Sequence, residues 1–181
     1  MCKAATAQQP PQNGKLHAMT TTIRPARPDD YQAICDLIPN EEELFLVYPK
    51  GRHPLTVAQL ERLLQKRLEP TVLLRDDRVV GFADFYRYKP GKSAYIGNVV
   101  VDPAQRGRAF GSEIIVHLIE LAFSKYDLPR VRISVYARND PALLLYGRLG
   151  FKPNAVREAT DFRGDRVALL HLRLNRSDYQ V

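Results

Sequence analysis

The sequence of 181 residues contains no tryptophan, only two cysteines and no long hydrophobic run. Cys2 and Cys35 stand far apart without a CxxC or Cys/His spacing, which argues against a disulfide framework and a structural zinc site. The longest apolar stretch, residues 113–123, is interrupted by His117 and Glu120, whereas a membrane span needs about 20 mostly apolar residues. These absences predict a protein of the cytoplasm that does not interact with a membrane.

The motifs of several enzyme classes are also missing. There is no GxxxxGK[ST] or GxGxxG loop, so nucleotide hydrolysis and hydride transfer lose their main support. HExxH and GxSxG are absent, which argues against a metalloprotease and a serine hydrolase. The four histidines show no metal-ligand spacing, and we expect no bound metal.

Composition and charge indicate one folded domain with a basic surface. Apolar residues make up 45% of the chain, and 27 Lys and Arg against 20 Asp and Glu give a net charge of +7. This excess favours anionic partners. The basic residues are scattered and no nucleic-acid motif appears, so a nucleic-acid-binding module is the weaker alternative. We predict a single domain over residues 20–176, a flexible tail over 1–19 with Met19 as an alternative start, and a short C-terminal tail over 177–181.

Hydrophobic periodicity and turn signals predict an α+β fold. Helices are expected to open near Pro28, Asn40 and Thr56, the third one extending to Leu68 and ending at Pro70. The later elements are predicted to be a hairpin over residues 71–88, a central strand over 94–101, an amphipathic helix with Ile114 on its apolar face, a strand over 131–136, a helix over 141–149, and strands over 151–155 and 167–174. This order indicates a three-layer α/β/α arrangement with a mixed central sheet of six to seven strands and helices on both faces.

A loop joins the central strand to the amphipathic helix and carries the first chemical signal. The free N–H groups at such a helix start favour an anion, small residues let it approach the backbone, and arginines add charge. A plain strand-to-helix loop is the alternative. The residues concerned are Val99, Val100, Val101, Arg106, Gly107, Arg108, Ala109, Phe110, Gly111 and Ser112.

A second segment, residues 139–151, follows the strand over 131–136 and reads NDPALLLYGRLGF. Taken separately, Asn139 could be a helix cap and Tyr146 a core aromatic residue. Two such segments, each placed between a predicted strand and a predicted helix, are harder to explain by chance than either segment alone.

At these two segments the chain resembles the GNAT superfamily of acyl-CoA-dependent N-acyltransferases. The first resembles the family's [Q/R]xxGx[G/A] signature: Arg106, Arg108, Phe110 and Gly111 keep the spacing, and Ala109 replaces the middle glycine. Because alanine tolerates helical dihedrals, we expect the loop to keep its shape. The second segment resembles the family's NxxAxxLYxxxGF motif. The resemblance covers residues 23–174 and implies an acyl-CoA N-acyltransferase-like fold.

The resemblance also implies a cosubstrate and a reaction. In the family the loop holds the pyrophosphate of acetyl-CoA and the strand over 99–101 pairs with its pantetheine arm. Asn139 would bind pantetheine, and Tyr146 would protonate the departing thiolate. The expected reaction is direct attack of a primary amine on the thioester in a ternary complex, with a backbone N–H near Val100 stabilising the oxyanion.

The proton acceptor is not determined by the motifs. Family members often carry a glutamate where this chain has Gly97 and Asn98, and Asn98 is predicted to position a water. Asp84, Glu42 and Glu43 are further candidates. Since residues 40–56 correspond to the acceptor entrance, Glu42 and Glu43 would also attract a cationic amine, although acids at a helix start equally stabilise the helix.

Two other readings stay open beside the acetyltransferase. A CoA-binding sensor without turnover is motivated by Gly97 and Ala109, and the basic nucleic-acid-binding module is the other. For the acetyltransferase, the expected acceptor is a small-molecule or peptide amine, and the resemblance allows a homodimer.

Overall fold

The computed structural model describes residues 20–180; the predicted N-terminal tail lies outside the described residues. Within that range the strands are β1 Thr21–Pro25, β2 Leu68–Arg75, β3 Arg78–Lys89, β4 Ser93–Val101, β5 Arg130–Tyr136, β6 Lys152–Thr160 and β7 Arg166–Asn175. The α-helices are α1 Tyr31–Asp36, α2 Glu41–Val47, α3 Val57–Leu64, α4 Phe110–Ser124 and α5 Asp140–Arg148. Short 3₁₀ turns occupy Pro28–Asp30, Pro103–Gln105 and Arg176–Asp178.

The seven strands form one mixed sheet in the order β1-β2-β3-β4-β5-β7-β6. Every neighbouring pair is antiparallel except β4 and β5, which are parallel and connected through α4. The central strands β3 and β4 are rich in apolar residues because helices cover both of their faces. The predicted mixed sheet of six to seven strands is confirmed.

Each face of the sheet carries its own hydrophobic core, which makes the predicted three layers. Ile114 and Leu118 of α4 pack with Tyr146 of α5 on one face. Ile34 and Leu60, from α1 and α3, pack on the other face. Full burial of such side chains contributes about 1.5–3 kcal/mol each.

Two helices begin at the caps that the sequence predicts. Asn40 Oδ1 accepts a hydrogen bond from the Glu43 amide at 2.9 Å, and Thr56 Oγ1 accepts one from the Gln59 amide at 3.4 Å. These bonds satisfy N–H groups that a helix leaves without internal partners. Polar side chains at both caps therefore set where α2 and α3 start.

The predicted end of the third helix is wrong. The helix α3 ends at Leu64, and β2 already begins at Leu68, opposite Phe85 of β3. Pro70 lies in the register shift between Leu68 and Thr71, where its missing N–H costs no ladder bond. Pairing with β3 therefore outweighs the helical spacing of Leu68.

Two observations concern the ends and the membrane expectation. After β7, the turn at Arg176–Asp178 brings the Tyr179 ring 5.6 Å from Phe123. The domain boundaries at residues 20 and 176 stay predictions.

Among the helices that the structure describes, none is long and apolar enough to span a bilayer.

Candidate active site

The two parallel strands at the centre of the sheet separate towards their C-terminal ends. The ladder pairs residues 94–96 with residues 131–133, and within the described sheet no bridge joins β4 to β5 after Ile96 and Ile133. The wedge between the strands opens into a cleft of about 1650 Å³. One edge of β4 therefore offers backbone N–H and C=O groups to an extended ligand.

A bulge in β4 accompanies this separation. Asn98 has a positive φ of 52°, and the register with β3 shifts between Phe82 and Asp84. The buried Asn98 amide donates a hydrogen bond of 3.1 Å to the Val47 carbonyl. This contact ties the end of α2 to the bulge, whereas the role predicted for Asn98 in positioning a water stays a prediction.

The loop after β4 leads into the N-terminus of α4. Asp102 accepts a hydrogen bond from the Ala104 amide at 2.9 Å and so shapes the turn. The first N–H groups of a helix lack internal partners, and Gly111 and Ser112 of α4 line the cleft. A Cβ on Gly111 would lie 3.2 Å from the Leu145 side chain, so glycine permits the close approach of α5.

Most of the predicted cosubstrate residues line this cleft together. They are Val99, Val100, Val101, Arg106, Gly107, Ala109, Phe110, Gly111, Ser112, Asn139 and Tyr146. Arg108 is exposed and is not part of the lining. Its predicted contact with the cosubstrate therefore has less geometric support than that of the other residues.

Ala109 does not adopt the helical dihedrals that the sequence suggested. Its φ of 65° and ψ of 0° are left-handed, and it stands at the N-cap of α4. An L-residue there costs roughly 1–2 kcal/mol, a cost that glycine avoids. Alanine is therefore strained at the N-cap of α4, and the expectation that the loop keeps the shape of the family's loop stays a prediction.

Arg106 is held by an acid of another element. Its guanidinium donates two hydrogen bonds of 2.8 Å to Glu43 of α2, and its Nε donates one of 3.3 Å to the Val101 carbonyl. Such a bidentate pair fixes the plane of the guanidinium. Glu43 lines the cleft, but its carboxylate is engaged by Arg106 and not directed to an acceptor amine.

Tyr146 and Asn139 both lie on or next to α5. Tyr146 is 5% exposed and lines the wedge, and burial together with the nearby Tyr86 phenol raises the pKa of Tyr146 well above its ordinary value. The Tyr146 phenol is therefore protonated at neutral pH, as a proton donor must be. Asn139 Oδ1 caps α5 by accepting a hydrogen bond of 3.3 Å from the Ala142 amide.

The remaining predicted acids do not reach the cleft. Glu42 is exposed on α2 and is not part of the lining. Asp84 is completely buried, 3.4 Å from Arg67 Nε, and lies opposite Gly97 in the sheet. Burial raises the pKa of Asp84, and Arg67 opposes that rise only in part.

A tyrosine ring occupies the place of the glutamate that the family often carries. A Cβ on Gly97 would lie 2.7 Å from the ring of Tyr86. Glycine is thus required at this position for Tyr86 to lie over β4. The absence of an acid on β4 is coupled to the presence of this aromatic ring in the cleft.

Three polar residues that sequence reasoning missed form a hydrogen-bonded chain along the cleft. The Tyr86 hydroxyl donates to Ser134 Oγ at 3.3 Å, and that oxygen lies 2.8 Å from His171 Nδ1. All three line the cleft. Burial and the charges of Arg157, Arg87 and Arg132 lower the pKa of His171. In the sequence, these residues could have been noticed only as polar side chains within three otherwise apolar strands.

The comparisons with known proteins agree with this geometry. The model of the "Acetyltransferase (GNAT) family" matches residues 31–151. Mycothiol acetyltransferase of Brachybacterium faecium is 35% identical over 54% of this chain. The aligned residues span 31% of the length of that relative. Spermine/spermidine N(1)-acetyltransferase of Bacillus subtilis is 25% identical, with 85% of this chain and 100% of the relative aligned.

The fold is shared with solved acetyltransferases. Spermidine N-acetyltransferase from Vibrio cholerae, solved in complex with CoA and spermine, superposes with a TM-score of 0.74. The superposition covers 88% of this chain and 97% of that one at 18% sequence identity. Because the family model covers most of the described domain, including both motifs and the wedge between β4 and β5, the chain belongs to the acetyltransferase (GNAT) family, whose cosubstrate is acetyl-CoA.

Proposed function

We propose that this protein is an N-acetyltransferase that transfers the acetyl group of acetyl-CoA to a primary amine by direct attack in a ternary complex. The observation that carries the proposal is the wedge between β4 and β5. The N-terminus of α4 and the buried phenol of Tyr146 both line the cleft into which this wedge opens. Both ends of the expected reaction therefore have a place in one cleft.

The residues present fit the cosubstrate. The N–H groups at residues 110–112 and the dipole of the 15-residue α4 suit a pyrophosphate. Arg106, held in place by Glu43, lies in the cleft lining beside them. The unpaired edge of β4 at residues 99–101 can form strand-like hydrogen bonds with the amides of a pantetheine arm.

The transfer makes one bond and breaks one: the acceptor nitrogen forms the new C–N bond while the C–S bond of the thioester breaks. An acceptor that arrives as an ammonium ion loses two protons, one before the attack and one as the amide forms. Tyr146 gives its proton to the leaving sulfur and is reprotonated by one of these two, and the other passes through the proton acceptor to the solvent. Burial raises the pKa of Tyr146 and keeps the phenol protonated until the sulfur leaves.

For the proton of the acceptor we propose His171, acting through Ser134. A lysine-type amine has an ordinary pKa of about 10.4, so a group in the cleft has to take up its proton. Glu43 is bound to Arg106, and Asp84 is sealed beside Arg67. His171 has a lowered pKa and is therefore neutral at pH 7, with Ser134 hydrogen-bonded to its ring.

The first experiment is calorimetric titration of acetyl-CoA into the full chain, followed by measurement of free CoA released with a panel of primary amines. Saturable micromolar binding and amine-dependent CoA release are expected. A short DNA duplex is the control for the basic surface and should not bind. Absence of acetyl-CoA binding would overturn the proposal, and binding without CoA release for every amine would favour the sensor.

A further inference from the structure

The lining of the cleft includes five cations that form no ion pair with a described carboxylate. They are Lys50, Arg62, Lys66, Arg87 and Arg157. Among residues 20–180, no carboxylate forms an ion pair with any of them. The acid in the described lining is Glu43, which Arg106 already neutralises.

Aromatic rings hold the arginines of this region in place. The guanidinium of Arg67 lies 5.0 Å from the Tyr86 ring centre, and that of Arg87 lies 5.8 Å from the ring of Tyr95. Stacking on a ring restrains a guanidinium while leaving its N–H groups in the ring plane free to donate. Arg67 forms an ion pair with the buried Asp84 on its other side, whereas Arg87 forms none with a described carboxylate. The guanidinium of Arg87 is therefore oriented before any ligand arrives.

The positive potential extends to the centre of the cleft. Arg157 and Arg87 are among the charges that lower the pKa of His171. His171 lies in the hydrogen-bonded chain with Ser134 and Tyr86. The cationic groups are thus close enough to act on the place where the acceptor amine would lose its proton.

We infer that the acceptor is a small amine that carries its own anionic group, a carboxylate or a phosphate, which the cations at Arg87 and Arg157 bind. The inference rests on the proposed acetyltransferase function and specifies its substrate class. Charged hydrogen bonds from a guanidinium to a carboxylate or phosphate are strong and directional. A polyamine, in contrast, would place further positive charges among cations without acids to balance them.

The same cations would assist the reaction. A positive environment lowers the pKa of an ammonium group and so favours the neutral amine that attacks the thioester. The anion of the acceptor would hold it beside Arg87 and Arg157 while its nitrogen points to the wedge. Binding and deprotonation of the acceptor would then draw on one set of charges.

The test compares amines that differ only in the anionic group. The pairs are O-phosphoethanolamine with ethanolamine and 4-aminobutyrate with butylamine, and spermidine is the cationic probe. We expect kcat/KM for the anionic member of at least one pair to exceed that of its neutral partner tenfold or more, with spermidine the poorest. The two pairs distinguish phosphate from carboxylate as the preferred anion.

Matched variants locate the preference in the cleft. Arg87→Gln and Arg157→Gln should reduce the anionic preference about tenfold through KM, while Arg78→Gln should leave it unchanged, because Arg78 lies at the exposed start of β3 and outside the cleft lining. Equal or better turnover of neutral amines or spermidine overturns the inference while leaving the acetyltransferase intact. Failure of every anionic amine also overturns it, whereas absence of acetyl-CoA binding removes the proposed function itself.

Discussion

The carboxylate of Glu43 and the guanidinium of Arg106 are joined by two hydrogen bonds of 2.8 Å, although 63 positions separate them in the chain. The pair links α2, at the acceptor entrance expected from the sequence, to the loop that begins α4. An acid predicted to attract the acceptor therefore orients an arginine of the loop that is predicted to bind the cosubstrate. The pair connects the end of β4 to α2 across the cleft lining.

Glu43→Gln should raise the KM for acetyl-CoA several-fold and leave kcat nearly unchanged, because Arg106 loses the carboxylate that fixes the plane of its guanidinium. The pair is partly exposed, so the free energy of unfolding should change by about 1 kcal/mol or less. Steady-state kinetics and urea denaturation measure both. Glu41→Gln, on the exposed face of the same helix, is the control. A fall in kcat above tenfold would instead assign Glu43 to proton transfer.

Ala109→Gly should raise the free energy of unfolding by about 0.5–1 kcal/mol. The left-handed φ of 65° is strained for alanine, and relief of that strain exceeds the extra entropy of glycine in the unfolded chain. Ala104→Gly, at an exposed position in the turn at Pro103–Gln105 that is not left-handed, should have the opposite sign. Urea denaturation measures the free energy of unfolding of both variants. An equal decrease in the two would contradict the proposed strain at Ala109.

Tyr146→Phe should lower kcat about 100-fold with little change in acetyl-CoA affinity, because the phenol donates a proton only as the C–S bond breaks. Calorimetry and turnover separate the two effects. Tyr179→Phe, whose ring packs on Phe123 outside the cleft lining, should retain full activity. Unchanged turnover in Tyr146→Phe would remove this residue from the acid role.

The pH profile of kcat should show an acidic limb below the ordinary histidine pKa, since burial and the surrounding arginines lower the pKa of His171 and a base has to be neutral. Arg157→Gln removes one of these charges, so the pKa of His171 should rise and the limb should move to higher pH. His171→Gln should abolish the limb. Arg166→Gln, on β7 outside the cleft lining, is the control measured with the same acceptor. A limb that stays in place in Arg157→Gln would argue against His171.

Asp84→Asn should become more stable relative to the wild type as the pH rises. Burial raises the pKa of Asp84 in the folded state above the unfolded value, so the folded state holds the proton more tightly, and stability is lost as the pH rises towards the folded pKa. Asp30→Asn should show the opposite trend, because Arg24 lowers the pKa of Asp30. Near neutral pH, Asp30→Asn should have a lower free energy of unfolding than the wild type, and this difference should decrease as the pH falls. Urea denaturation across pH tests both signs.

The sequence predicted those parts of the site that lie on one continuous segment. The loop before α4 and the helix start at Asn139 depend on local features: a strand end, a turn and a cap. The errors arose where a distant element decides. Leu68 has helical spacing but pairs with Phe85, and Ala109 is compatible with a helix but must turn left-handed.

The chain of Tyr86, Ser134 and His171 could not be predicted in the same way. Its members come from three strands, and their contact depends on the register that places Ser134 opposite His171. A shift of one residue in either strand would turn one side chain to the other face of the sheet. The engagement of Glu43 by Arg106 likewise requires α2 to lie across the loop before α4.

The amino-acid sequence by itself determined the family and the order of the elements, because turns, caps and periodicity are short-range properties. Only the tertiary structure decided which acids form ion pairs and which strand residues share the cleft. Charge compensation and strand register depend on residues far apart in the chain. In the folded protein Glu43 is paired with Arg106, Glu42 lies outside the cleft lining, and several cations of the lining form no ion pair with a described carboxylate.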